Sequence, residues 1–301
     1  MTEYSSPTVC LGNDSIAFVT VLFNCEKYMS LFFACMSQQT DKDFVVIVID
    51  NASKDGSLAQ ARALAQAHRV QCEFIANEGN LGIAVGNNQG IERARELGLQ
   101  HIVLINNDIG CENDLVSRIR LRAIVAGHKA WTCLAYYGES TVRWYGGGKL
   151  SYWLARGIHF GQKQSETICH PVAVTYAPTC LMYLHASVFE RVGLMDPQYF
   201  VYYDDTDFCK RIEESGIVLM YDPEVSFRHY VGGSSGGDLS FFFLRMSTRN
   251  KFIYIQKHYE APGREIVMVM ALMSKLIQLT LSSRRSATLA GLRAYFSSTT
   301  K

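Results

Sequence analysis

The chain has 301 residues and a formal net charge of +1, from 29 basic and 28 acidic side chains. That balance supplies no global field for nucleic acid, and 48% hydrophobic with 12% aromatic content excludes disorder. Nine scattered cysteines with no CxxC pair exclude a disulfide framework and a thiolate zinc site, and read as small core residues in a reducing cytoplasm. Met1 to Gly12 has no charged segment followed by an apolar run, so no secretory leader is expected and the protein should work inside the cell.

Ile16 to Phe23 is a short apolar run ended by Asn24, followed by an amphipathic stretch from Lys27 to Gln39. Phe44 to Ile49 is too rich in β-branched residues for a surface helix and reads as a buried parallel strand. The turn formers from Asp50 to Ser57 end it and cap a helix from Leu58 to His68. Val70 to Ala76 is a third strand, Leu81 to Leu97 a helix, and His101 to Ile105 a fourth strand. Strands alternating with helices at this spacing predict an α/β fold whose central sheet is covered on both faces.

In such sheets ligands bind beyond the carboxyl ends of the strands. Asn24, then Asp50 and Asn51, then Asn77 to Asn80, then Asn106-Asn107-Asp108 stand there, either as ligand contacts or as ordinary turns and caps. No GxGxxG follows the first strand and no GxxxxGK[ST] occurs, which disfavours dinucleotide and P-loop chemistry. Gly82 and Gly86, one turn apart, could bring a helix N-terminus onto a phosphate or could only permit tight helix–sheet packing.

Cys111 to Gly127 is expected as a helix and Lys129 to Tyr136 as a strand. Trp144-Tyr145 before Gly146-Gly147-Gly148 is a sugar-stacking platform or, preferably, a bulged hairpin. Leu150 to Glu166 reads as a loop over the site. Val172 to Tyr176 and Leu181 to His185 are strands, and Ser187 caps a short helix ending at Gly193. Tyr199 to Arg211 then crowds Asp204, Asp205 and Asp207 behind an aromatic run. Such carboxylates need a cation, a substrate hydroxyl or the Lys210/Arg211 pair, unless they merely form the acidic first turn of a helix. A strand over Tyr221 to Arg228, with a turn at Asp222-Pro223, leads to His229 and a glycine-serine loop. A helix from Leu239 to Tyr259 follows, with Arg245, Arg249, Asn250 and Lys251 as candidate phosphate contacts. Glu265 to Leu281 is mostly apolar but too interrupted to span a bilayer. With Arg284, Arg285, Leu289, Leu292 and Phe296 it suggests helices packing on the domain, on a second subunit or on an anionic membrane surface.

These motifs resemble those of family 2 inverting glycosyltransferases of the GT-A fold, especially the rhamnosyltransferase-like branch. The match is carried by Val48 to Ser57, Asn80-Leu81-Gly82 through Gly90, Leu104 to Asp108, Val192 to Asp196, Asp204 to Arg211, and His229 with Gly232-Gly233-Ser234, in the family's order. The resemblance implies a GT-A domain over residues 1–259, with a C-terminal helical segment over 260–301. It implies a dTDP- or UDP-sugar donor held by Asn24, Asp50 (at the base), Asn51, Asn80, Gly82, Asn107 and Asp108. Mn²⁺ or Mg²⁺ would be bound by Asp108 and His229, although Asn106 and Asn107 replace the usual preceding carboxylate. A hard divalent ion suits carboxylate, imidazole and phosphate ligands. Asp205 would be the base that takes the acceptor hydroxyl's proton, with Asp204 where Glu is usual, and Asp207 would orient Arg211 or cap the helix. The glycine-serine loop would close over the diphosphate. Pro178 and Thr179 depart from a usual Gly-Ala pair near the donor sugar. The activity implied is sugar transfer, L-rhamnose from dTDP-L-rhamnose first and UDP-hexose or UDP-galactofuranose next, onto a bacterial surface polysaccharide or its lipid-linked precursor. A nucleotide-sugar-binding partner without turnover is the alternative. The expected place is the cytoplasm, with peripheral contact at the inner face of the plasma membrane and a homo-oligomer left open.

Overall fold

The structure is a computed structural model and describes residues 11–161, 168–230, 240–280 and 282–299. Its first half alternates as the hydrophobic pattern predicts: β1 (Ile16–Leu22), α1 (Glu26–Ser37), β2 (Phe44–Asp50), α2 (Ser57–Ala67), β3 (Cys72–Ala76), α3 (Ile83–Glu96) and β4 (His101–Ile105). β1 pairs in parallel with β2 and β4, and β2 with β3. All seven residues of β2 are buried, the consequence of helices on both faces of a parallel sheet. Gly86 and Gly90 of α3 lie on Val21 and Val19 of β1, where any Cβ would overlap the valine side chains. These two glycines serve close helix–sheet packing.

The helix expected over Cys111 to Gly127 is broken. Ile109–Cys111 forms β5, which pairs with a late strand of the chain. α4 (Leu115–Ile119) follows, then a π-helical turn over Arg120–Val125. β6 (Ala130–Tyr137) and β7 (Arg143–Tyr145) are antiparallel, while β8 (Gly148–Ser151) and β9 (Arg156–His159) form a separate two-stranded sheet. Trp144 and Tyr145 lie on the second arm of the bulged β6–β7 hairpin, as expected, and Gly146-Gly147 leads from it to the second sheet. Most of the expected loop over Leu150 to Glu166 is this β8–β9 hairpin; residues 162–167 fall outside the described residues.

β10 (Val172–Val174), β11 (Leu181–His185), α5 (Ala186–Val192), α6 (Asp204–Glu214) and β12 (Leu219–His229) complete the core. Ser187 does not cap α5. His185 holds the cap position, its Nδ1 accepting from Ser187 N at 3.2 Å. Asp222 and Pro223 sit inside β12 at a register shift, so the expected turn is a bulge. The large sheet runs β10-β12-β6-β11-β4-β1-β2-β3, with β5 on β12 and β7 on β6. It is mixed, because β11 is antiparallel to both β4 and β6. α7 (Phe241–His258), α8 (Gly263–Thr280) and α9 (Ser282–Thr299) share a second, smaller core with Tyr199 and with Ala155 of the β8–β9 hairpin. No helix among the described residues is long and apolar enough to cross a membrane.

Candidate active site

The loops after β1, β2, β3 and β4 meet at one end of the sheet, and hydrogen bonding separates their residues into two kinds. Asn24 Oδ1 accepts from Lys54 N at 2.8 Å and its own N–H donates to Ser53, which ties the first loop to the second. Asn51 donates to Gly82 O at 3.1 Å and accepts from Asn77 at 2.9 Å, while Asn107 donates to Val21 O at 2.8 Å. Asn80 accepts from Gly82 N at 3.0 Å. Gly82 has φ of +86° and lies so close to Phe200 that a Cβ would overlap its carbonyl; Ile83 N donates to that carbonyl at 2.8 Å. These amides hold the protein together. The carboxylates differ. Asp50 is 3% exposed and gives one oxygen to Ser53 N, but its buried Oδ1 has no hydrogen-bond partner among the described residues. Asp108 Oδ1 is in the same position.

Asp108 faces His229, which comes from the end of β12 beside β5. Asp108 Oδ1 and His229 Nε2 are 3.2 Å apart, and Asn106 Nδ2 lies 3.3 Å from the same nitrogen. Both groups thus approach Nε2, whose role as donor or acceptor follows the tautomer of the ring. Buried His229 Nδ1 has no partner among the described residues. The 3.2 Å gap matches the roughly 3 Å edge of an octahedral shell around a small divalent ion. Two protein ligands are few, and no group of three or more His, Cys, Asp or Glu suited to a metal occurs among the described residues. The pair therefore fits an ion completed by ligand oxygens.

Asp205 stands at the first turn of α6. Tyr176 OH donates to its Oδ2 at 2.7 Å, and Thr206 N and Oγ1 donate to Oδ1 at 2.6 and 3.1 Å. Burial raises its pKa above the ordinary carboxylate range, and these donors pull it back. Asp204, also buried, is pushed well above that range by burial and then by the Asp205 charge. Asp204 accepts no side-chain donor comparable to those on Asp205, so the shared proton belongs on Asp204 and the charge on Asp205. The two halves of the site converge. Buried Cys180 is raised, beyond the effect of burial, by both Asp108 and Asp205. His159 of β9, depressed mainly by burial, feels Asp205 and His229 together. Trp144 fills the space between these histidines, with ring centroids 5.0 Å from His159 and 4.3 Å from His229.

Asp207 is fully buried. It takes Arg211 Nε at 2.9 Å as the i,i+4 spacing suggests, and also Lys257 Nζ and His258 Nε2 of α7, each at 2.7 Å. Burial alone would raise its pKa; the His258 hydrogen bond and the Arg211 and Lys257 charges hold it below the usual value.

A model of Glycosyl transferase family 2 matches residues 17–191 of the chain. The chain belongs to that family. The transferase is 25% identical over 234 residues to the dTDP-rhamnosyl transferase RfbF of Shigella flexneri, covering 74% of this chain and 71% of the relative. It is 26% identical over 230 residues to the rhamnosyltransferase WbbL of Escherichia coli strain K12, covering 72% and 84%. The mannosyltransferase PcManGT of Pyrobaculum calidifontis, solved with GDP-Man and Mn²⁺, superposes with a TM-score of 0.59 at 15% identity, covering 94% of this chain and 75% of that one. The fold is GT-A.

Within the glycosyltransferase, Trp144, read from the sequence as part of a sugar-stacking platform or a hairpin, reaches the site, and so do His159 and Tyr176, for which no such role was read from the sequence. Lys257 and His258 complete the Asp207 cluster in the same way. Each reaches its partner in the site from a distant part of the chain, as Trp144 reaches His229 and Tyr176 reaches Asp205, and no local spacing reports that contact. The glycine-serine loop expected to close over the diphosphate falls at 231–239, outside the described residues.

Proposed function

We propose that this glycosyltransferase transfers a sugar with inversion from a nucleotide diphosphate donor to an acceptor hydroxyl, with Asp205 as the base. The observation that carries the reading is the Asp108–His229 couple, 3.2 Å apart, together with the hydrogen-bonded Asp205 carboxylate, both near enough to Cys180 to raise its thiol. Asp108 and His229 would hold Mn²⁺ or Mg²⁺, and Asp50 Oδ1 would accept from the nucleotide base. When bound, such an ion neutralises charge on the departing diphosphate. Asp205 removes the acceptor O–H proton as that oxygen bonds to the anomeric carbon from the face opposite the breaking bond to diphosphate. Tyr176 and Thr206 fix the carboxylate's orientation, and the protonated Asp204 adds no second charge. The rhamnosyltransferase relatives favour L-rhamnose carried on dTDP, and a saccharide or lipid-linked saccharide acceptor. The soluble GT-A unit acts in the cytoplasm.

Product formation by wild type and Asp205→Asn, across dTDP-L-rhamnose, UDP-galactose and UDP-galactofuranose, tests this. Asp205→Asn should lose about 10²–10⁴-fold in kcat while keeping dTDP binding; equal activity removes Asp205 as base. Asp108→Ala should lose the Mn²⁺-dependent part of dTDP binding, as chelator does in wild type. Loss in Asp108→Ala without loss under chelator rejects the metal role.

A further inference from the structure

Where the β8–β9 hairpin, α7 and α8 come together, three cations gather that form no ion pair among the described residues. Arg156 opens β9 and is exposed, Lys251 on α7 is half-buried, and Lys275 on α8 is only 8% exposed. The corner is fixed against the proposed base. Tyr203 OH donates to Ala155 O at 2.9 Å, next to Arg156. Asn250, next to Lys251, donates to the carbonyls of Val201 and Tyr202 at 2.9 Å each. Tyr203 immediately precedes Asp204 and Asp205, so the cluster borders the base.

Among the described residues, Arg156, Lys251 and Lys275 make no ion pair; Lys275 Nζ has one hydrogen bond, to Gln278 Oε1 at 3.1 Å. Burial and then the Lys275 and Arg156 charges push the Lys251 ammonium down to about 8. Burial and then Arg284 do the same to Lys275, again to about 8. Charges removed from water are kept in folded proteins when a partner offsets them, and here the neighbours repel. Exposure falls from Arg156 through Lys251 to Lys275. An arginine fork beside two ammonium groups suits the oxygens of a phosphate ester.

We propose that Arg156, Lys251 and Lys275 form a phosphate site on the acceptor side of Asp205, and that it takes a phosphate or diphosphate ester linking the acceptor to an apolar chain. The inference rests on the reading of Asp205 as base, which makes this the acceptor's side of the reaction. The apolar chain has a surface to follow: α8 exposes Ile266, Val269, Met270, Met273 and Leu276, which recur at the 3–4-residue spacing of one helical face. Lys275 lies on the same helix, turned inward. An anionic head and an apolar tail thus meet a cationic pocket and an apolar stripe on one element.

The test titrates the full chain, with its donor site saturated by dTDP and Mn²⁺, using farnesyl diphosphate and inorganic pyrophosphate. Wild type should bind farnesyl diphosphate more tightly than pyrophosphate. Arg156→Gln/Lys251→Gln should weaken farnesyl diphosphate by about tenfold or more and leave dTDP–Mn²⁺ affinity unchanged, which also shows that the variant folds. Unchanged farnesyl diphosphate binding in the double variant overturns the site. A parallel loss of dTDP binding assigns the cluster to the donor, which also overturns it. Pyrophosphate binding as tightly as farnesyl diphosphate overturns the lipid-linked ligand in favour of a free anion. Asp205→Asn should bind farnesyl diphosphate as wild type does; full activity in that variant would sink the base assignment while leaving the binding result standing.

Discussion

Adjacent carboxylates on the first turn of α6 face the same burial and meet different fates, because donors reach one and not the other. Asp205 holds Tyr176 and Thr206, whereas Asp204 is raised by burial and by Asp205 itself. A raised pKa has two consequences of definite sign. The activity that depends on ionised Asp205 should fall with decreasing pH through a pKa above the ordinary carboxylate value of about 4. For stability, the unfolded chain ionises Asp204 near that ordinary value while the folded chain keeps its proton, so the native state binds more protons and loses stability as pH rises through the interval. Asp204→Asn removes the titration but keeps the shape. It should therefore lack this loss, be more stable than wild type at pH 7, and retain activity within about tenfold. Denaturant unfolding of both proteins between pH 4 and 8, with kcat/KM over the same range, measures it. An identical pH dependence of stability in the two would mean that Asp204 is not the protonated partner.

The entry to α6 is strained, and a single side chain on another helix holds it. Tyr202 and Tyr203 have φ of 63° and 67°, a region that bulky residues avoid, immediately before Asp204. Asn250 of α7, fully buried, donates to the carbonyls of Val201 and Tyr202, and Asp207 one turn into α6 pairs with Lys257 and His258 of the same helix. Asn250→Ala leaves two carbonyls without donors and should cost about 1–3 kcal/mol of stability. It should lower kcat more than it weakens dTDP binding, since it loosens the base and not the donor side; equal effects on both would reject α7 as the support of α6. The sequence conveyed only part of this arrangement. The acidic turn and the Asp207–Arg211 spacing were legible because helix periodicity is local, whereas Asp205 was singled out by the family resemblance. The α7 contacts were not, since a residue's partner across fifty positions leaves no periodic trace. The same limit explains the helix expected over Cys111 to Gly127. Ile109–Cys111 becomes β5 through its antiparallel pairing with β12, a contact more than a hundred residues distant. His185 displaced Ser187 as the α5 cap for a smaller reason, because an imidazole can accept the same N–H that a hydroxyl would.

Across the whole molecule, parallel β1 to β4 carry Asp50 and Asp108 at one sheet end, and the mixed second half of the sheet brings Tyr176, Cys180 and His229 towards them. The strand–helix alternation made the first half readable, whereas β7 to β10 are strands of three or four residues with no distinguishing pattern. α7 to α9 then close the base side with a core of their own, and they carry buried Lys251 and Lys275. Lysines folded with a pKa near 8 bind fewer protons than the unfolded chain between about 8 and 10.5, so their contribution to stability rises with pH over that interval. Buried tyrosines and cysteines with raised pKa values act in the opposite sense, so the whole-protein curve hides the effect and a difference between variants isolates it. Lys275→Met keeps the length and apolar stem while removing the charge. It should raise stability at pH 7 by about 1 kcal/mol or more, and that gain should shrink as pH rises from 8 to 10.5 and the wild-type ammonium loses its proton. Farnesyl diphosphate should reverse the order at pH 7, stabilising wild type through the Lys275 charge and Lys275→Met much less. Thermal unfolding of the two proteins with and without that ligand reads both signs. A Lys275→Met chain that is less stable than wild type at pH 7 without ligand would show that the charge is already offset within the fold.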